Sequence, residues 1–83
     1  MNKYLVDVYL PASGEHFDVF LPINKLIGEV ISLLADIAVP LSGNSFKRTT
    51  DTVLINAANG EVYNFNDTVF DAGIRNSTKL ILI

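Results

Sequence analysis

The chain has 83 residues, is 49% apolar and carries a formal net charge of −3, which points to one small domain, 1–83, that depends on a well-filled core. Its six basic residues are scattered, which excludes the electrostatic footprint of a nucleic-acid or anionic-membrane binder. The absence of cysteine excludes disulfides, a thiol nucleophile, an iron–sulfur cluster and a cysteine zinc site.

The opening stretch MNKYLVDVYL lacks the long apolar core and small-residue cleavage site of a signal peptide. No run reaches the roughly 18–20 apolar residues that cross a bilayer, so the expected location is cytoplasmic. Residues 3–10 alternate instead, with Tyr4, Val6, Val8 and Leu10 on one face and Leu5, Asp7 and Tyr9 on the other. Period two is the signature of a half-buried strand. Turn formers follow at 11–15, and 16–21 alternates again, with Phe17, Val19 and Leu21 opposed to His16, Asp18 and Phe20. Two such runs joined by a short turn predict a β-hairpin.

Residues 22–39 repeat apolar side chains at helical spacing. Ile23, Leu26, Ile27, Val30, Ile31, Leu33, Leu34, Ile37 and Ala38 share one arc, and Asn24, Lys25, Gly28, Glu29, Ser32 and Asp36 the other. This is an amphipathic helix. Pro22 suits its first position, where the missing N–H costs nothing, and Pro40 is expected to stop it. Gly28 reads as a tolerated glycine on the polar face, with close approach by a partner as the alternative.

Residues 41–51 are polar and rich in turn formers. A brief strand is expected at 52–56, and Asn59-Gly60 signals a hairpin turn into a further strand at 61–65. Thr68 can cap a short turn at 69–72, and Gly73 supplies a left-handed position after it. The run 79–83 is apolar after its first residue, as a central strand would be. A helix with so wide an apolar face must be covered by a sheet. The order hairpin, helix, hairpin, short turn, strand is that of an α+β β-grasp fold, with a mixed sheet of four to five strands and one long helix on one face. The final strand would lie parallel to the first, between it and the second hairpin. Tyr4, Val6, Val8, Phe17, Val19, Leu21, Leu54, Leu80 and Leu82 would face the helix.

The stretches Thr68-Val69-Phe70-Asp71-Ala72-Gly73-Ile74 and Ser77-Thr78-Lys79-Leu80-Ile81-Leu82-Ile83 resemble the C-terminal third of a ubiquitin-like domain, with its short turn, Gly before Ile and closing Leu-x-Leu strand. Leu21-Pro22-Ile23-Asn24-Lys25-Leu26-Ile27, leading into an unusually apolar helix in a chain of this length, is similar to the YukD/EsaB family. These are small ubiquitin-like proteins that accompany the type VII secretion system of Gram-positive bacteria. The resemblance implies a cytoplasmic accessory or regulatory protein that acts by contact with a component of that machinery. It implies no catalytic residues and no cofactor. Ubiquitin and sulfur carriers need a flexible Gly-Gly tail, whereas this sequence stops at Ile83, so conjugation and sulfur transfer are not expected.

No constellation of residues announces chemistry. His16 is a lone histidine, read as solvated or structurally hydrogen-bonded. Asp67 and Asp71, four apart, fit helix-start and turn roles better than paired catalytic carboxylates. Lys47-Arg48 reads as a solvated loop, with contact to an acidic partner as the alternative. Asn66-Asp67-Thr68 and Asn76-Ser77-Thr78 fit the N-glycosylation pattern and are expected to be inert.

The outward sheet face is the stronger candidate. With Leu80 and Leu82 toward the helix, Ile81 and Ile83 point away from it, joined by Ile55 on the neighbouring strand and Tyr9 on the other side. That patch is apolar where a soluble monomer usually places polar residues, which predicts protein binding or self-association. The competing reading is that Ile83 frays or is covered and the rest is ordinary surface. Rival functions are a β-grasp interaction module unrelated to secretion and a surface-exposed binding module. A cofactor-bearing β-grasp protein is a further rival, and the lack of cysteine excludes its ferredoxin form.

Overall fold

The computed structural model describes residues 2–83. The chain forms strand β1 (Lys3–Leu10), strand β2 (Glu15–Pro22), helix α1 (Ile27–Leu41), strand β3 (Leu54–Asn56) and strand β4 (Lys79–Leu82). The strands make one sheet in the order β2-β1-β4-β3. β1 pairs antiparallel with β2 and parallel with β4, and β3 pairs antiparallel with β4. This is the β-grasp arrangement expected from the pattern, with the last strand in the interior of the sheet.

Local chemistry explains the first hairpin. Gly14 adopts φ +74°, open to a residue without Cβ, and donates to the Leu10 carbonyl at 2.8 Å. The register then pairs Val8 with Phe17, Val6 with Val19 and Tyr4 with Leu21, so the inward apolar sets of both strands coincide. Val6, Val8, Leu10, Leu21, Leu54, Leu80 and Leu82 are buried against Ile27, Val30, Ile31, Leu34, Ala35 and Ala38 of α1. Each large aliphatic side chain so removed from water is worth roughly 1.5–3 kcal/mol. Tyr4, Phe17 and Val19 pack against this core only partly buried.

Three expectations are corrected. The helix begins at Ile27, not at Pro22, which is the last residue of β2 opposite Lys3. The intervening backbone is engaged elsewhere: Ile23 donates to Asn2, while its carbonyl and that of Lys25 accept from Phe70 and Val69. A helix starting at residue 22 would break all three bonds. At the other end α1 passes Pro40 and ends at Leu41. A proline this close to the C-terminus removes a single intrahelical donor, and it is the left-handed Gly43 and Asn44, with φ of 61° and 68°, that turn the chain.

The second hairpin is only half formed. Asn56 accepts from Gly60 and donates to Glu61, and Val62 bridges Ile55, but no strand occupies 61–65. The chain leaves the sheet to reach α1, where the Phe65 and Asp67 carbonyls accept from the N–H groups of Gly28 and Ile27 at 3.1 and 2.8 Å. Leu26 N–H donates to Glu29 Oε1 at 3.2 Å. The donors that a helix start leaves unpaired are thus met by the chain itself. Phe46, in the polar stretch, is buried in the core; Thr68 caps its turn by accepting from Asp71 N–H at 3.0 Å.

Candidate functional site: the outward sheet face

Strand alternation sends one set of side chains to α1 and the other to solvent. Leu5, Asp7 and Tyr9 of β1, His16, Asp18 and Phe20 of β2, Lys79 and Ile81 of β4 and Ile55 of β3 make up the outward set. The register lines them up in rows. His16 stands opposite Tyr9, Tyr9 opposite Ile81, Ile81 opposite Ile55, and Ile55 bridges Val62. The Tyr9 and His16 rings lie 4.6 Å apart, tilted by 36°. Tyr9, Ile55 and Ile81 are half-buried by their neighbours, whereas Ile83 is 49% and Val62 57% exposed. Ile83 exchanges both backbone hydrogen bonds with Val53, at 2.8 and 3.2 Å, so it is tied to the sheet.

A charged row runs beside this apolar one. Asp18 is opposite Asp7, and Asp7 opposite Lys79. Asp7 Oδ2 lies 3.3 Å from His16 Nδ1 and 3.9 Å from Lys79 Nζ. Exposed pairs of this kind contribute little to stability. A second apolar pair, Leu5 and Phe20, lies beyond it. The face is therefore banded: apolar, charged, apolar. Stacks of half-exposed aliphatic and aromatic side chains flanked by charges suit a protein surface, not a reacting small molecule.

The structure brings Tyr9, Ile55 and Ile81 into one row and sets Ile83 at its end. Sequence reasoning overlooked Val62, Leu5 and Phe20. Leu5 and Phe20 were visible as members of the polar-side alternation of β1 and β2, where each is the odd apolar residue. Val62 carried no signal of its own, because its place depends on the bridge to Ile55.

The other candidates are dispersed. His16 is exposed and engaged with Asp7 and Tyr9, as a structural histidine would be. Asp67 and Asp71 serve the α1 start and the capped turn through their backbones. Lys47 and Arg48 are exposed in the loop after α1. Arg75 donates to the Phe70 and Ile74 carbonyls at 3.0 and 2.7 Å, with its guanidinium 4.3 Å from the Phe70 ring centroid. Burial pushes the Tyr63 phenol above its usual range. Among the described residues no group of three or more His, Cys, Asp or Glu side chains could hold a metal ion, and no helix is long and apolar enough to cross a membrane.

No family model matches the sequence, and no curated protein matches it. Solved structures do. The EccD5 ubiquitin-like domain from Mycobacterium xenopi is similar over 100% of this chain and 94% of that one, at 13% identity and a TM-score of 0.82. A chain of a MycP5-free ESX-5 inner membrane complex matches all of this chain but 21% of its own length, at 13% identity and a TM-score of 0.82. A chain of the toluene 4-monooxygenase complex with 4-bromobenzoate matches over 96% of this chain and 95% of that one, at 12% identity and a TM-score of 0.81. At such identities the likeness is one of fold, and that fold is the ubiquitin-like β-grasp.

Proposed function

We propose that this chain is a non-enzymatic, ubiquitin-like accessory or regulatory protein of a type VII secretion system, of the YukD/EsaB kind. It acts in the cytoplasm and docks a protein component of the machinery on its outward sheet face. The observation that carries this reading is the unbroken apolar row Tyr9–Ile81–Ile55, extended by exposed Val62 and Ile83 on a face that α1 leaves open. The structural similarity to the EccD5 ubiquitin-like domain supports the choice of machinery. Docking would remove this apolar surface from water at roughly 25 cal/mol per Å² before the costs of association. Its contribution is contact, with no bond made or broken.

The test is the culture-supernatant proteome of the source bacterium with this gene deleted. The deletion is complemented by the wild-type chain or by an Ile55→Asp/Ile81→Asp protein shown by circular dichroism to be folded. The expected outcome is a selective change in the secreted type VII substrates that wild type restores and the double variant does not. Unchanged secretion sinks the secretory role, and restoration by both proteins sinks the surface.

A second reading, a small chain within a multi-component enzyme, is favoured by the end-to-end match to a chain of the toluene 4-monooxygenase complex. Co-purification of the tagged chain with an oxygenase instead of secretion components would select it.

A further inference from the structure

β2 is an edge strand, and its free side is open. Ser77 donates to Leu5 and Asp7 donates to Thr78, so the odd residues of β1 turn their backbone groups toward β4 and the even ones toward β2. The register Tyr4–Leu21, Val6–Val19, Val8–Phe17 then leaves the N–H and C=O groups of His16, Asp18 and Phe20 pointing away from the sheet. Such a row is a template for an added strand.

Three further features select what would be added. First, Phe17 and Val19 on the inner face of β2 are only half-buried, while their partners Val8 and Val6 are fully covered. The segment 62–67 runs from the β3 edge to Gly28 and closes that flank of α1. On α1, Leu33 is 41% exposed and Ile37 half-buried, and the helical repeat puts both on the side of α1 away from Gly28. Apolar side chains of both β2 and α1 thus stay partly open to solvent. Second, Asp18 faces Asp7 directly, a like-charge pairing that is unfavourable across strands. Asp7 has His16 and Lys79 beside it, whereas Asp18 has no cationic partner among the described residues. Third, Phe20 is 52% exposed on the same outward face as Asp18.

From these we infer that the β2 edge binds an extended segment of a partner protein by strand addition, with a basic residue opposite Asp18, an apolar residue opposite Phe20, and small apolar residues between them covering Phe17 and Val19. The basic residue completes a row of alternating sign next to the Asp7–Asp18 pair. A second copy of this chain is the wrong occupant, because antiparallel self-pairing centred on the edge sets Asp18 against Asp18. The inference stands apart from the secretory role and uses neither Ile55 nor Ile81.

The probe is the peptide acetyl-Ser-Tyr-Val-Arg-Val-Thr-Ser-amide, whose Tyr, Arg and Thr fall opposite Phe20, Asp18 and His16 in an antiparallel ladder. It is titrated into the ¹⁵N-labelled full chain. The expected result is a shift and slowed hydrogen exchange of the His16, Asp18 and Phe20 amides. Replacing the peptide arginine by glutamate weakens binding at least about tenfold, since a close opposite charge becomes a like one. Asp18→Lys in the protein reverses that order, and N-methylation of the arginine amide, which removes a ladder donor, abolishes binding with the charge intact. The Ile55→Asp/Ile81→Asp protein binds as wild type does. The inference is overturned by absence of binding at about millimolar peptide, by equal affinity for the arginine and glutamate peptides, or by shifts confined to Tyr9, Ile55 and Ile81. Protection of the same three amides on raising the protein concentration without peptide also overturns it, in favour of a second copy.

Discussion

Gly28 sits where the start of α1 meets the loop carrying Phe65. A Cβ built there would stand 3.5 Å from the Phe65 carbonyl oxygen and 3.7 Å from its Cβ, ordinary contact distances. The neighbour of this glycine is the chain's own loop. Because the site has room for a methyl group, Gly28→Ala is expected to gain up to about 1 kcal/mol of helix propensity, read as a higher urea midpoint with an unchanged slope. Tyr63 gives a prediction in pH. Its phenol is held above the ordinary value by burial, so the proton is bound more tightly in the folded than in the unfolded chain. The stability this provides is complete below the unfolded tyrosine pKa of about 10 and is lost as pH rises through the folded value. Tyr63→Phe is expected to remove a phenolate absorbance step above pH 10 and to flatten the fall of stability over that alkaline range.

The elements are bounded by tertiary partners more than by their own residues. α1 takes its first donors' partners from Phe65 and Asp67 and ends on a left-handed turn that Ser42 reinforces: its hydroxyl donates to the Val39 carbonyl at 3.1 Å and accepts from Phe46 N–H at 2.9 Å. That second bond fixes the backbone at Phe46, whose ring enters the core. The connection from α1 to β3, polar in composition, is thus anchored in the core by an aromatic side chain. Phe46→Ala is expected to cost about 3–5 kcal/mol, measured by denaturant unfolding, far more than substitution of its neighbours Lys47 or Arg48, which are exposed.

Across the whole molecule, protection should follow the sheet order. β1 and β4 have a strand on both sides, and Val6, Val8, Leu10, Leu80 and Leu82 on their inner face are fully covered, so the amides of these two strands are expected to exchange only through global unfolding. The outward-pointing amides of β2 lack a partner and should exchange orders of magnitude faster in a native-state hydrogen-exchange experiment. Equal protection of β2 and β1 would mean that the edge is covered in solution. The same asymmetry separates the two surfaces argued above: the outward face offers apolar side chains in rows, and the β2 edge offers backbone groups with an acidic side chain between them.

The alternation of 3–10 and 16–21, the helical arc after residue 26 and the apolar close at 79–82 determined the β-grasp fold by themselves, because a burial period of two or 3.6 is written directly in which positions are apolar. The same alternation determined that Tyr9, Ile55, Ile81 and Ile83 turn away from α1. Tertiary structure alone decided where α1 begins, since the residues from Pro22 to Leu26 are helix-compatible in pattern but their backbone groups are taken by Asn2 and the turn at 68–70. It also decided that the chain leaves the sheet after Tyr63 to meet the start of the helix, that Phe46 is core, and that Asp7 and Asp18 stand side by side. Each of these depends on hydrogen bonds or register between segments far apart in the chain, and a local pattern carries no information about which distant partner a backbone group will find.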